Sequence, residues 1–470
     1  MYIITFSDED QHYVYSAWTN QIVRIGTQLH NLFSNESSKE DSRQIAEVLG
    51  LAPSRPFFLE ILSDASITKA LADLRQNGPE HLVLSVTESC NFRCRYCIYS
   101  GIYDDARHHS KTDMSEETAI KAVRWYLHFP RQHYHIGFYG GEPLLRRRLI
   151  EMVISNAKDY IPSMANLSFG ITSNGWFLDS SSIRFLAENH MDLFVSLDGP
   201  ASVHDRYRLT SRGAPTFDRV WEGIKRIRRE QPDYFDRHVN FSMTLAPPYQ
   251  VDEIAIFFHS NPEIFAGKVP RIGTMNRLHP NEADSAGFSF SEEGVDLSRV
   301  RLNYLETLIK GGMPNGFSRA CSEAAMRRIN GRNMVNLDVL KTNAGQCTPG
   351  SRCHVTPDGR LHMCEHGNEH WPIGHVDSGF DYAGIWDMLV KFREFIESHC
   401  QDCWAIRLCS RCIPKLAEGV TLSPREFARF CGASQKRLKQ DLVDYCHARN
   451  RNERCFDSFA YKHGEAEMFK

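Results

Sequence analysis

From residue 81 onward, apolar runs short enough for strands alternate with longer amphipathic segments, and no other feature restricts the fold as strongly. Candidate strands lie at 82–86, 135–139, 167–172, 192–197, 239–245 and 270–275, with helical patterns such as SEETAIKAVRWYL (115–127) and TFDRVWEGIKRIRR (216–229) between them. Strand–helix units joined by right-handed crossovers predict an α/β chain with a parallel, partial barrel, and the active site of such a barrel lies at the C-terminal strand ends. Residues 1–79 read differently: MYIITF, HYVYSAW and QIVRIG resemble short strands, and helical patterns follow near 27–33, 38–49 and 66–76. That order is α+β, either a module of its own or an extension packed on the barrel, with Gly78-Pro79 as the boundary. The barrel then occupies 80–315. Beyond about 316 the periodicity fades, and 11 of the 14 cysteines lie after residue 320. A segment so poor in regular pattern relies on covalent or metal staples.

The 470 residues imply two or three domains. Lys plus Arg total 55 against 58 Asp plus Glu, so no broad basic face for nucleic acid is expected. The runs RRR (146–148) and KRIRR (225–229) read as solvated helix faces. MYIITFSDED lacks a basic segment followed by an apolar core, and no stretch reaches the roughly 18 apolar residues of a membrane span. A cytoplasmic protein without a membrane partner is the expectation. In a reducing compartment the cysteines point to metal rather than to disulfides.

Cys90, Cys94 and Cys97 fall in SVTESCNFRCRYCIYSG, directly after the first barrel strand. A tight C-x3-C-x2-C run can give three thiolates to one [4Fe-4S] cluster, leaving one iron open. An open iron can bind a small molecule, and the chemistry that uses it is reductive cleavage of S-adenosylmethionine (SAM). Zinc is the alternative, although zinc knuckles favour paired C-x2-C units and a nearby fourth ligand. The motif, with Tyr96 before its last cysteine, resembles the signature of the radical SAM superfamily. Later strand ends resemble that family too. In FYGGEP (138–143) the resemblance implies that Gly140 and Gly141 allow close backbone approach to SAM and that Glu142 faces its amino group. In TSNG (172–175), Ser173 and Asn174 would meet the ribose or carboxylate; in SLDGPASVHDRYR (196–208), Arg208 would meet the SAM carboxylate.

The tail holds Cys347, Cys353, Cys364, Cys400, Cys403, Cys409, Cys412 and Cys431, a number that suits two fully ligated [4Fe-4S] clusters. Two zinc sites are the alternative on spacing alone. With the TPDGRLHMC hairpin, the arrangement resembles the SPASM extension of radical SAM peptide-modifying enzymes. Carried over by position, Cys347, Cys353, Cys364 and Cys412 would hold one auxiliary cluster, and Cys400, Cys403, Cys409 and Cys431 the other. The family commonly has three residues between the last two cysteines of the central run; this chain has two, Ser410 and Arg411. Cys321, Cys446 and Cys455 are surplus and read as plain thiols.

The first 79 residues resemble the PqqD-type, winged-helix-like element that binds leader peptides of ribosomally made natural products by adding them as a strand. The whole is similar to a radical SAM/SPASM peptide maturase. The resemblance implies a partial (β/α)6, TIM-like barrel, a C-terminal iron-sulfur domain over 316–470, three [4Fe-4S] clusters and SAM. It also implies a precursor-peptide partner, a flavodoxin- or ferredoxin-type electron donor, and crosslinking, foremost cysteine thioethers. Carbon–carbon or carbon–oxygen crosslinks and sulfatase formylglycine formation are the alternatives, and an iron-sulfur electron carrier is the nonenzymatic one. No general base is singled out among Tyr139, His204 and Asp205 at the expected barrel mouth.

Overall fold

The fold is that of a computed structural model, which describes residues 2–34, 39–51, 63–103, 106–275, 295–332, 350–365, 367, 369–400, 403–410 and 412–459. Strands β1 (Ile3–Asp8), β2 (Gln11–Ser16) and β3 (Gln21–Ile25) form an antiparallel sheet in that order. Strands β4 (His81–Thr87), β5 (His133–Gly140), β6 (Asn166–Ser173), β7 (Asp192–Ser196), β8 (Val239–Leu245) and β9 (Arg271–Thr274) pair in parallel, each with the next. This is the expected α/β partial barrel.

The sheet continues beyond β4 in a way the sequence did not announce. Strand β10 (Arg352–Val355) pairs parallel with β4, and β11 (Arg360–His362), β12 (Gly374–His375) and β13 (Gly379–Phe380) follow antiparallel. The TPDGR turn between β10 and β11 is the hairpin read from the sequence. It grafts the cysteine-rich segment directly onto the barrel sheet.

Alternation along the strands decides what faces where. In VNFSMTL of β8, Val239, Phe241, Met243 and Leu245 are buried, whereas Asn240, Ser242 and Thr244 are partly accessible. The first set packs under helices such as Phe217–Glu230, whose Phe217, Val220, Ile224 and Ile227 recur at helical spacing on one buried face. The second set lines the lumen. A TIM barrel fills its interior with bulky branched side chains; here many inner positions are small or polar, with the larger Tyr139 and Phe194 among them.

The N-terminal sheet is both a module and a docked surface. Ile3, Val14, Phe33, Ala46 and Leu51 form a small core of their own. Tyr13, Tyr15 and Ala17 instead join the main core. The helix Pro424–Arg451 runs beside β1, where His447 Nδ1 meets Asp8 at 2.8 Å and Asn450 Nδ2 donates to Asp8 at 3.0 Å.

Candidate active site

The cysteine loop leaves β4 and is fixed on two sides by backbone hydrogen bonds. Gly141 N donates to Thr87 O at 2.8 Å and Glu142 N to Ser89 O at 2.9 Å; on the other side Arg93 N donates to Leu209 O at 2.8 Å and Arg95 N to Tyr207 O at 3.1 Å. Glycine is needed at 140 and 141: a Cβ at Gly140 would lie 2.2 Å from Thr87 O, and one at Gly141 would lie 2.2 Å from Ser89 O. Gly140 also has φ +127°, which L side chains rarely adopt. Both glycines thus make a close approach to the start of the cysteine loop.

Phe92 N points at Cys90 Sγ (3.4 Å) and Tyr99 N at Cys97 Sγ (3.4 Å), while Asn174 Nδ2 lies 3.7 Å from Cys90 Sγ. Burial pushes the Cys90 thiol up to about 12 and raises Cys94 and Cys97 as well. Thiols so desolvated keep their protons when free, and a bound cation would displace those protons to solvent by stabilising the thiolates directly. Three sulfurs from one loop with amide donors behind two of them fit a cluster with one open corner. Among the described residues no three His, Cys, Asp or Glu side chains gather closely enough for a single ion; a four-iron cluster, with each thiolate on a different iron, demands no such convergence.

Glu142 is fully buried and accepts from Asn174 N (2.7 Å), the Ser173 hydroxyl (2.9 Å) and Leu144 N (3.1 Å). Burial pushes its carboxyl up to about 7 against these donors. Asn174 Nδ2 also donates to Asn91 Oδ1 at 2.8 Å. Glu142, Ser173 and Asn174 therefore come together as a brace joining the ends of β5 and β6 to the cysteine loop.

Arg208 is held by a residue the sequence reading passed over. Its Nε and Nη2 reach the two oxygens of Asp198 at 2.9 and 3.1 Å, and Asp198 also accepts from Thr244 N (2.9 Å) and from the Tyr96 hydroxyl. Burial works against the Asp198 charge, yet Arg208 holds its carboxyl below the usual range. The third guanidinium nitrogen, Nη1, faces Cys94 Sγ at 4.0 Å. A carboxylate two residues past a barrel strand and ten before an arginine was the available signal.

Two candidates at the mouth have structural duties. His204 is fully buried, bonded to Thr216 Oγ1 at 3.1 Å, and burial lowers it to about 3. Asp205 accepts from Thr216 N and Phe217 N at 2.7 and 2.8 Å, capping the helix that follows.

In the tail, Gln435 Nε2 donates to Cys431 Sγ at 3.3 Å and Cys403 Sγ at 3.6 Å, bringing these two thiols together. Cys400 ends the helix Tyr382–Cys400, and Cys409 N donates to Ala405 O at 2.8 Å in the turn that follows. Of the other quartet, Cys353 sits on β10, Cys364 just past β11, and Cys412 at the start of the helix Ile413–Leu416; Cys347 lies outside the described residues. Cys321, Cys446 and Cys455 are buried thiols, as expected. Arg107, ten residues past Cys97, is buried and donates to Glu365 O at 2.7 Å, tying the first loop to the segment after Cys364.

The model of the radical SAM superfamily matches residues 84–258, from within β4 to the helix after β8. The chain carries a radical SAM domain. It is 26% identical over 196 residues to a cysteine-type anaerobic sulfatase-maturating enzyme of Clostridium novyi, a match covering 42% of this chain and about half (52%) of that enzyme's length. With the enzyme of that description from Clostridium perfringens it is 21% identical over 347 residues, covering 70% and 86% of the two chains. Among solved structures, native anSMEcpe with bound AdoMet superposes with a TM-score of 0.55 at 19% identity, over 77% of this chain and 99% of that one. The same protein has been solved with AdoMet and a Kp18Cys peptide. The shared architecture is that of the radical SAM fold, with SAM and an iron-sulfur cluster as the family's cofactors. No described helix is long and apolar enough to cross a membrane.

Proposed function

We propose that this chain is a peptide maturase that crosslinks a ribosomally made precursor, foremost through cysteine thioethers. The observation that carries this reading is the N-terminal sheet. Its β1 side is covered by the helix Pro424–Arg451, whereas β3 ends the sheet with no further strand on it among the described residues. An edge of that kind accepts an extended peptide by main-chain hydrogen bonds. The anSMEcpe match takes up nearly all of that chain yet leaves roughly a quarter of this one outside it, room for an element that sulfatase maturation does not call for.

Cys90, Cys94 and Cys97 would hold a cluster with one open corner, and SAM bound there would supply a 5'-deoxyadenosyl radical able to take hydrogen from a peptide carbon. The protein's own part is to hold that corner in place through the Glu142–Ser173–Asn174 brace and to orient Arg208 through Asp198. The two tail quartets, Cys347/Cys353/Cys364/Cys412 and Cys400/Cys403/Cys409/Cys431, would hold auxiliary clusters as electron acceptors or anchors. Fully ligated clusters of this kind offer no iron to a substrate thiol.

Formylglycine formation on a sulfatase is the second reading, favoured by the relatives' activity. Coexpression with a short, cysteine-bearing reading frame sought beside the gene separates the two: a loss of roughly two hydrogens per crosslink is expected in that peptide. An unmodified peptide, together with oxidation of a sulfatase peptide, would overturn the crosslinking reading.

A further inference from the structure

We infer that Tyr139 positions the substrate by donating a hydrogen bond from its phenol into the barrel lumen, and so selects which peptide hydrogen is removed. The inference rests on the peptide reading above and assigns a contact within it.

Residues of β5 alternate strictly. Tyr134, Ile136 and Phe138 are buried on the helix side, and His135, Gly137 and Tyr139 take the lumen side. Tyr139 pairs in register with Ser85 of β4, so the two share that side. Several neighbouring inner positions are small, Gly170 and Thr172 on β6, Ser196 on β7 and Ser242 on β8, while Phe194 of β7 pairs with Thr172 and stands at the level of Tyr139. Tyr139 therefore stands in a chamber lined by hydroxyls, glycine and the Phe194 ring. The hydroxyl-bearing part of that lining suits main-chain amides and polar groups.

Five tyrosines surround this end of the barrel, and four have committed their hydroxyls. Tyr96 donates to Asp198, Tyr103 to Tyr96 O at 3.2 Å and Tyr207 to Pro247 O, and Tyr99 lies 3.0 Å from Ser85 Oγ. The Tyr139 hydroxyl makes no hydrogen bond among the described residues. Its electrostatic surroundings are Glu365, Tyr99, Cys97 and Arg107, which sets it where the first cysteine loop meets the segment following Cys364. Burial raises the phenol far above its ordinary range, with Glu365 adding to the effect, so it keeps its proton and acts as a donor, not a base. His204 and Asp205, the other groups expected at the mouth, are already spent on the fold.

The test compares wild type with Tyr139→Phe, which removes one hydroxyl and keeps the ring. Two probes are offered to each, a short cysteine-bearing precursor peptide sought beside the gene and a synthetic cysteine peptide carrying a sulfatase maturation sequence. Iron content, SAM affinity by equilibrium dialysis, and 5'-deoxyadenosine released per peptide modified are measured. Unchanged iron and SAM affinity are expected, with deoxyadenosine per product rising roughly ten-fold as the radical is quenched unproductively. Tyr139→His, which restores a ring donor, should recover part of the coupling. A wild-type ratio in Tyr139→Phe overturns the inference while leaving the peptide reading intact. Weakened SAM binding without peptide also overturns it, by moving Tyr139 into the SAM site. A wild type that modifies neither probe overturns the peptide reading and this contact with it.

Discussion

Removing the Asp198 carboxylate tests how the site is held. Its oxygens take both Arg208 nitrogens, Thr244 N and the Tyr96 hydroxyl, and the two charged side chains are only 9% and 3% exposed. Asp198→Ala leaves the guanidinium buried without its counter-charge, a change that costs about 3–5 kcal/mol. For a barrel of this size each kcal/mol moves the melting temperature by about 2–4 °C, so a fall on the order of 10 °C is expected. Arg208→Met removes the charge itself, and the Asp198→Ala/Arg208→Met pair then lacks both partners. The double variant should be more stable than the sum of the singles by about 2–3 kcal/mol. Anaerobic thermal unfolding followed by circular dichroism, on preparations of matched iron content, gives all four corners of the cycle. Single-variant effects that add within about 0.5 kcal/mol would refute the claim that this ion pair holds Arg208 in place. The functional companion is SAM affinity, expected to fall in both single variants, because Nη1 faces Cys94 only while Nε and Nη2 are tied down.

The other perturbations touch different parts of the molecule. Glu142→Gln replaces an acceptor of three hydrogen bonds with an amide that can take only part of them, so a loss of about 1–3 kcal/mol in thermal stability is expected, with weaker SAM binding by equilibrium dialysis. His135 has its folded value lowered to about 4 by burial, then by His81. An unfolded histidine takes its proton below about 6.5 while the folded one does not, so stability is full above that pH and declines as pH falls toward 4, by about 3 kcal/mol in all; His135→Asn should flatten denaturation midpoints across that window. Replacing Cys403 and Cys431 together should lower iron by about four atoms per chain without removing SAM cleavage, whereas replacing Cys94 should abolish cleavage. Hydrogen exchange on adding the leader half of the precursor should slow at residues 21–25; unchanged exchange there would remove β3 as the docking edge.

The barrel was legible because its code is local. Six apolar runs, each bounded by turn residues and separated by helical periodicity, fixed β4 to β9 nearly to the residue, and the cysteine loop fell at the end of β4 where a barrel places its chemistry. The extension through β10 to β13 was not legible, since two- to four-residue strands such as Gly374–His375 carry no periodicity to read. Asp198 was missed for another reason: its meaning lies in a pairing across two loops, and no local pattern states which acid an arginine ten residues on will find. The same holds for Gln435, whose amide reaches Cys403 and Cys431 from the middle of a long helix.

Those missed contacts share a physical logic. A loop carrying three thiols has little core of its own, so its precision comes from hydrogen-bonded neighbours: Glu142 and Asn174 from one side, Asp198, Tyr96 and Arg208 from the other. The lumen side adds hydroxyl-bearing inner positions, Ser196, Ser242 and Thr244, beside the larger Tyr139 and Phe194. On the proposed reading this chamber would receive the peptide and the β3 edge of the N-terminal sheet would choose it; Tyr15 of that sheet meets Trp404 of the cysteine-rich segment edge-on at 6.3 Å, which ties the two parts together.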